Sequence, residues 1–292
     1  MIILDCETYA NYFLLSMLDT DSGKIKDFEL FDGQDFDSKT VSAILRKHTT
    51  LGFNSSNYDL PVIVAALRGD TNAQIKQLSD DIINAPKVWP VLKKHKINIP
   101  ASFDHIDIMP IPIGQASLKI YGGRLHAPKM QDLPIEPNAL ISPEQRKTLR
   151  LYCHNDLQVT RILYEELKPQ IALREQMSKQ YSIDLRSNSD AQIAENVIKH
   201  ELEAKNIDCT RPTVKIGTKY KYTTPKHITF KSPLFNDLVA MIERTDFVVN
   251  DNGQVALPDE LLTKISFDGA EYQLGIGGIH SCESSQAVIA QD

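Results

Sequence analysis

Residues 1–31 constrain the fold most, because they read as three short strands in quick succession. Residues 1–9, about 11–19 and about 24–31 are rich in aliphatic and aromatic side chains, and Asp19–Gly23 supplies a polar turn between the last two. Connections this short join antiparallel neighbours, since a parallel pair needs a crossover of about a dozen residues or more. Asp37 or Ser38 then caps a short helix with Val41, Ile44 and Leu45 on one face, and Thr50–Phe53 forms a fourth strand. An antiparallel trio followed by helix and strand predicts a mixed sheet with helices on its faces.

The opening strand carries an oddity. Alternation puts Asp5 and Glu7 on one face and Ile2, Leu4 and Cys6 on the other. Two neighbouring carboxylates repel, and strand formation does not call for them. A divalent cation would supply the reason. Cys6 is expected to face the core as a small apolar filler.

With 292 residues the chain can build two domains, or one with a large extension. A net charge of -6 does not advertise nucleic-acid binding, although local clusters do the steering. The four cysteines, Cys6, Cys153, Cys209 and Cys282, are scattered without metal-ligand spacing and read as reduced thiols of a cytoplasmic protein. The sequence predicts neither a signal peptide nor a membrane span.

Further along, Asn54–Asp59 is a polar turn leading into a helix over about 61–68, so Asp59 stands just before a helix start. Helices are predicted at 73–83 and 86–95, a strand over Phe103–Met109, and a tight turn within Leu118–His126. Ser142-Pro143-Glu144-Gln145 is a strong helix start. That helix should run to about Leu167, with Leu149, Cys153, Thr160, Leu163 and Leu167 facing inward and Tyr152 and Asp156 beside that stripe. An acid beside a packing face must be paired, exposed at a cleft or bound to a metal.

From about residue 168 the character changes, so the expected division is 1–168 and 169–292. Helices at 170–178 and 187–205 precede Arg211–Lys231, which has six Lys or Arg, three aromatics and no acid. Its alternation suggests a basic β-ribbon that could track phosphates through Lys219, Lys221 and Lys226. A helix at 233–244, short strands at 246–250 and 254–257, a helical turn at 258–264 and a Gly-rich tail follow.

Asp5, Glu7, Asp59 and Asp156 come from three separated segments. Converged, they would hold two hard cations about 3.5–4 Å apart, suited to phosphodiester hydrolysis. Tyr152, one turn before Asp156, could hold the attacking water.

These residues resemble a known pattern. Asp5-Cys6-Glu7 is similar to the first motif of the DEDD exonuclease superfamily, Asn54–Asp59 to the second, and Tyr152-Cys-His-Asn-Asp156 to the third in its tyrosine form. Lys119–His126, Pro128–Pro134 and Asp184–Glu195 resemble the N-terminal part of phage and prophage DNA polymerases with a proofreading domain, most like family B. The end from Gly277 looks like the lead-in to a polymerase palm whose motifs are absent from this sequence.

The resemblance implies an RNase H-like exonuclease fold with an α+β C-terminal extension. It implies two Mg²⁺ or Mn²⁺ ions on Asp5, Glu7, Asp59 and Asp156, with Tyr152 orienting water. The substrate would be the 3′ end of single-stranded DNA, and the partner a DNA polymerase domain in a host cytoplasm. Asn54, Asn57 and Lys119 are candidate substrate contacts, and Asp107 is a spare acid with a structural reading. Arg124, His126 and His154 carry no firm assignment. The alternatives are a non-catalytic nucleic-acid-binding module of a replication complex and an RNA-preferring exonuclease of the same fold.

Overall fold

The computed structural model describes residues 1–114, 116–210 and 213–281. It divides into two compact units, Met1–Asp208 and Cys209–Asp292.

In the first unit, β1 (Ile2–Tyr9), β2 (Tyr12–Asp19) and β3 (Ile25–Phe31) form the antiparallel trio. Helix α1 (Ser38–Lys47), capped by Asp37, leads to β4 (Thr50–Gly52), which pairs parallel with β1. Helices α2 (Asp59–Arg68), α3 (Asn72–Asn84) and α4 (Val88–Lys94) then cross to β5 (His105–Asp107), parallel to β4. The sheet order is β3-β2-β1-β4-β5. A mixed five-stranded sheet in that order, with helices on both faces, is the RNase H-like arrangement.

The two faces of β1 feed two cores, as its alternation requires. Leu4 and Cys6 pack with Val41, Leu60, Ile63 and Ile75 of α1–α3. Ile3 packs on the other side with Leu157, Leu163 and Leu167. Those three belong to α6, which follows α5 (Leu118–Arg124) and runs from Pro143 to Tyr181. Ser142 and Gln145 cap α6 reciprocally, as the sequence indicates.

The structure corrects the sequence reading in several places. Helix α6 does not stop near Leu167: it continues through Pro169 to Tyr181, 39 residues in all, and residue 168 lies inside it. Proline removes one hydrogen bond there, but Leu167, Ile171 and Arg174 remain buried, so packing outweighs the local defect. Arg174 is held by Asn188 O at 2.9 Å and by Asp190, the first residue of α7 (Asp190–Glu203).

Second, Leu118–Arg124 is helical although it contains Gly122 and Gly123. A Cβ on Gly122 would come within 2.8 Å of Val159 Cγ1, so the glycine permits α5 to lie close against α6. Third, the basic stretch is not a ribbon. Among the described residues of 213–231 only β6 (Lys219–Tyr220) is a strand, and Arg211 lies outside them.

In the second unit, β6 pairs with β7 (Phe247–Val248), which follows α8 (Pro233–Arg244). After a 3-10 turn, Asp259–Leu261, strands β8 (Ile265–Phe267), β9 (Ala270–Gly275) and β10 (Gly278–Ser281) form an antiparallel sheet. Most of the Gly-rich tail is therefore a hairpin, and residues 282–292, with Cys282, lie outside the described residues. Cys6 and Cys153 are buried free thiols. Among the described residues no helix is long and apolar enough to cross a membrane.

Candidate metal centre

Strand β1 pairs with β2 along its whole length but with β4 only at Ile2↔Thr50 and Ile3↔Leu51. Asp5 and Glu7 therefore lie beyond the last parallel pair, at the carboxyl end of β4. Crevices at the carboxyl ends of parallel strands are where open α/β sheets place their ligands. Across this one stands α6. The Cys153 thiol donates to Asp5 Oδ2 at 3.2 Å and lies 3.6 Å from Asp5 O. One ligand atom each from Asp5, Glu7 and Cys153 lies within 4.8 Å of the others, an arrangement positioned to chelate a metal.

Asp59 arrives from a third direction. The chain turns back sharply after β4, and a Cβ on Gly52 would fall 2.5 Å from Ser55 Cβ, so only glycine fits. Asn54 takes the left-handed conformation that asparagine tolerates, with φ 58°. Asp107, buried at the end of β5, ties this loop down. Its Oδ1 accepts from the N–H of Asn54 at 2.9 Å and of Met109 at 3.0 Å, and its Oδ2 from Ser56 N–H at 3.0 Å.

His105 braces the same loop, bonding Thr50 Oγ1 at 2.8 Å and Ser55 Oγ at 2.7 Å. Burial lowers its pKa to about 4. The hydroxyls of Tyr58, Thr8 and Ser79 form a triangle with sides of 2.8–2.9 Å, pinning the residue before Asp59. Asp59 is the first residue of α2 rather than the residue before it, and is 4 % exposed.

The four carboxylates feel one another. Burial raises the Asp5 carboxyl well above the usual range, and the charges of Asp59, Glu7 and Asp156 raise it further. Glu7 is raised by burial and then by Asp156 and Asp59. Asp59 is pushed up to about 7 by burial and by Asp107, against hydrogen bonds from the Cys6 thiol and from backbone N–H groups of Asp59 and Cys6. Its Oδ1 is buried with no hydrogen-bond partner.

Asp156 is also raised by burial, while the Tyr152 phenol, Asn155 and the Lys119 charge hold it down. Burial and the nearby acids keep Tyr152 neutral far above its ordinary value. An orphaned buried oxygen among like charges is the environment that a divalent cation relieves. The donor set of carboxylate oxygens suits Mg²⁺ or Mn²⁺, with one thiol as the exception.

The remaining sequence candidates are placed as follows. Asn57 donates to Asn54 Oδ1 at 3.2 Å, so the two stabilise the loop between them. Lys119 reaches Asp132 at 2.9 Å on the helix facing α6. Lys219 and Lys221 both pair with Asp246, at 3.0 and 2.9 Å, and Lys226 is exposed; all three belong to the second unit. His154 bonds Asp27 at 2.8 Å, on β3.

Sequence reasoning placed Cys153 in the packing stripe and missed its contact with Asp5. Its position three residues before Asp156, on the face that meets β1, was the available signal. Cys6 packs in the core opposite Asp5 and Glu7, as its place in the alternation of β1 predicts.

No protein-family model matches this chain, and neither a curated protein nor a solved structure matches it. What is established is an RNase H-like fold with a potential metal centre at Asp5, Glu7 and Cys153.

Proposed function

We propose that the protein is a 3′–5′ exonuclease that removes nucleotides from single-stranded DNA 3′ ends, as the proofreading part of a DNA polymerase. The observation that carries this reading is the meeting of Asp5 and Glu7 of β1 with α6, where their ligand atoms lie within 4.8 Å of that of Cys153, and with Asp59 and Asp156 near enough for their charges to raise Asp5. The sequence resemblance set out above supplies the substrate.

Asp5, Glu7, Asp59 and Asp156 would hold a pair of Mg²⁺ or Mn²⁺ ions, which would supply water activation and charge stabilisation at the leaving 3′ oxygen. The chain's own contribution is positioning. Tyr152, neutral at any working pH and one turn from Asp156, can both donate and accept, so its hydroxyl can orient a water beside that carboxylate. Lys119, whose charge already reaches Asp156, offers a cation to a substrate phosphate. Asp107 and His105 keep the loop bearing Asp59 in place without touching substrate.

The test is a gel assay with 5′-labelled single-stranded DNA, duplex, mismatched primer and RNA, with and without Mg²⁺. Stepwise shortening of single-stranded and mismatched DNA only with Mg²⁺ is expected, falling to background in the Asp5→Ala, Glu7→Ala double variant. Binding without shortening would make the protein a nucleic-acid-binding module. Faster loss of RNA would reassign the substrate, which rests on contacts to the sugar.

A further inference from the structure

The thiol in this centre has no role in binding Mg²⁺, which takes oxygen ligands and keeps several waters. Cys153 is nonetheless fully buried, fixed on α6, and 3.2 Å from Asp5 Oδ2. Zinc bonds of about 2.3 Å to sulfur and 2.1 Å to oxygen at a tetrahedral angle put sulfur and oxygen about 3.6 Å apart. The existing spacing needs only a small adjustment to meet that. Glu7 completes a set of three whose ligand atoms already lie within 4.8 Å of one another.

A second observation points to a cation independently. Asp59 Oδ1 is buried without a partner, and the Asp59 carboxylate is the strongest charge acting on Asp5. Two carboxylates and a thiolate also offset a divalent charge fully, with Asp59 in reserve.

We propose that Asp5, Glu7 and Cys153 form a mixed oxygen–sulfur site that takes a zinc-class cation in preference to Mg²⁺. Soft thiolate selects zinc and cadmium over hard cations, so the same crevice discriminates between metals through one side chain. Binding transfers the Cys153 thiol proton to solvent as the sulfur–metal bond forms, so affinity rises with pH. Zinc in this site displaces Mg²⁺ from Asp5 and Glu7 and thereby silences the centre. That last consequence alone rests on the exonuclease reading.

Titration of the full chain with Cd²⁺, followed by thiolate-to-metal charge transfer in the ultraviolet, tests the site directly. A band saturating at one Cd²⁺ per chain is expected, lost in Cys153→Ser. Glu7→Gln, which leaves the thiol in place, should move the midpoint at least about 10-fold to higher Cd²⁺. X-ray absorption of the zinc-loaded wild type should show one sulfur at about 2.3 Å, a measurement that needs no variant to fold. An undiminished band in Cys153→Ser, or a zinc shell of oxygen and nitrogen only, overturns the proposal. A band without Mg²⁺-dependent DNA shortening would sink the exonuclease reading alone. Shortening without a band would sink the mixed site alone.

Discussion

The two units differ in how much they bury. Met1–Asp208 holds nearly all the core: of the fully buried apolar side chains among the described residues, only Val249 and Leu261 lie outside it. In the second unit α8 buries no residue; Phe235 meets Phe230, Phe267 and Tyr272 at 5.0–5.7 Å, and Phe235 and Phe230 line a cavity of about 600 Å³. The contrast follows from what the first unit contains. Four acids raised chiefly by burial, Asp5 and Glu7 also by neighbouring charges, oppose folding while ionised, so the scaffold that holds them needs a stability surplus. The second unit has no comparable cluster among its described residues, and a looser core suffices.

The most forceful way to break this comparison is the same truncation in each unit. Phe13→Ala, fully buried, should cost about 3–5 kcal/mol in urea unfolding. Phe235→Ala, half-buried, should cost about 1–2 kcal/mol. Equal costs would erase the distinction.

The next effect concerns His105. Its folded pKa of about 4 lies below the unfolded value, so the stability it contributes is complete above pH 6.5 and disappears as pH falls to 4. That loss is up to about 3 kcal/mol. Unfolding free energies of wild type and His105→Asn between pH 4 and 7 should converge toward the acid end.

Asp59 has the opposite sign. Its folded pKa of about 7 is raised, so its contribution is fully present below about pH 4 and is lost as pH rises through 7. Asp59→Asn should therefore stabilise the metal-free protein at pH 8 by about 1–2 kcal/mol and leave it unchanged at pH 4. Thermal melts at the two pH values read this directly, and a variant no more stable at pH 8 would remove the strained-site argument. The smallest effect belongs to the second unit. Neutralising Lys219, Lys221 and Lys226 should weaken DNA binding and flatten its salt dependence by less than about 2 in log–log slope. Asp246, with its single negative charge, already pairs with two of the three lysines. An unchanged slope would leave these lysines as ordinary surface.

What the sequence disclosed follows from the range of each signal. Alternation in β1 and the cap at Ser142 are local, so the three opening strands and the start of α6 were legible. So were the opposite facings of Glu7 and Cys6. The end of α6 was not, because Pro169 reads as a stop unless the burial of Ile171 and Arg174 is known. Helix α5 was hidden by Gly122 and Gly123, and the reason for the first, the approach of Val159, lies far along the chain. Cys153 shared its periodicity with leucines, and nothing local separates a thiol that packs from one that touches a carboxylate. The basic stretch misled because alternating Lys and Tyr mimic a strand pair when a single two-residue strand finds its partner beyond α8.

The placement of Tyr152, Cys153 and Asp156 on one helix makes this part of the protein sensitive to length more than to composition. Adding a single residue between Ser142 and Tyr152 would turn all three by about 100° away from β1, however mild the residue added. Four residues would restore the facing to within about 40°. Substitutions can therefore accumulate on the outer face of this segment with little effect, whereas insertions and deletions of one or two residues cannot. The same small changes in length between α5 and Ser142, outside any helix, leave the facing of the three side chains unaltered.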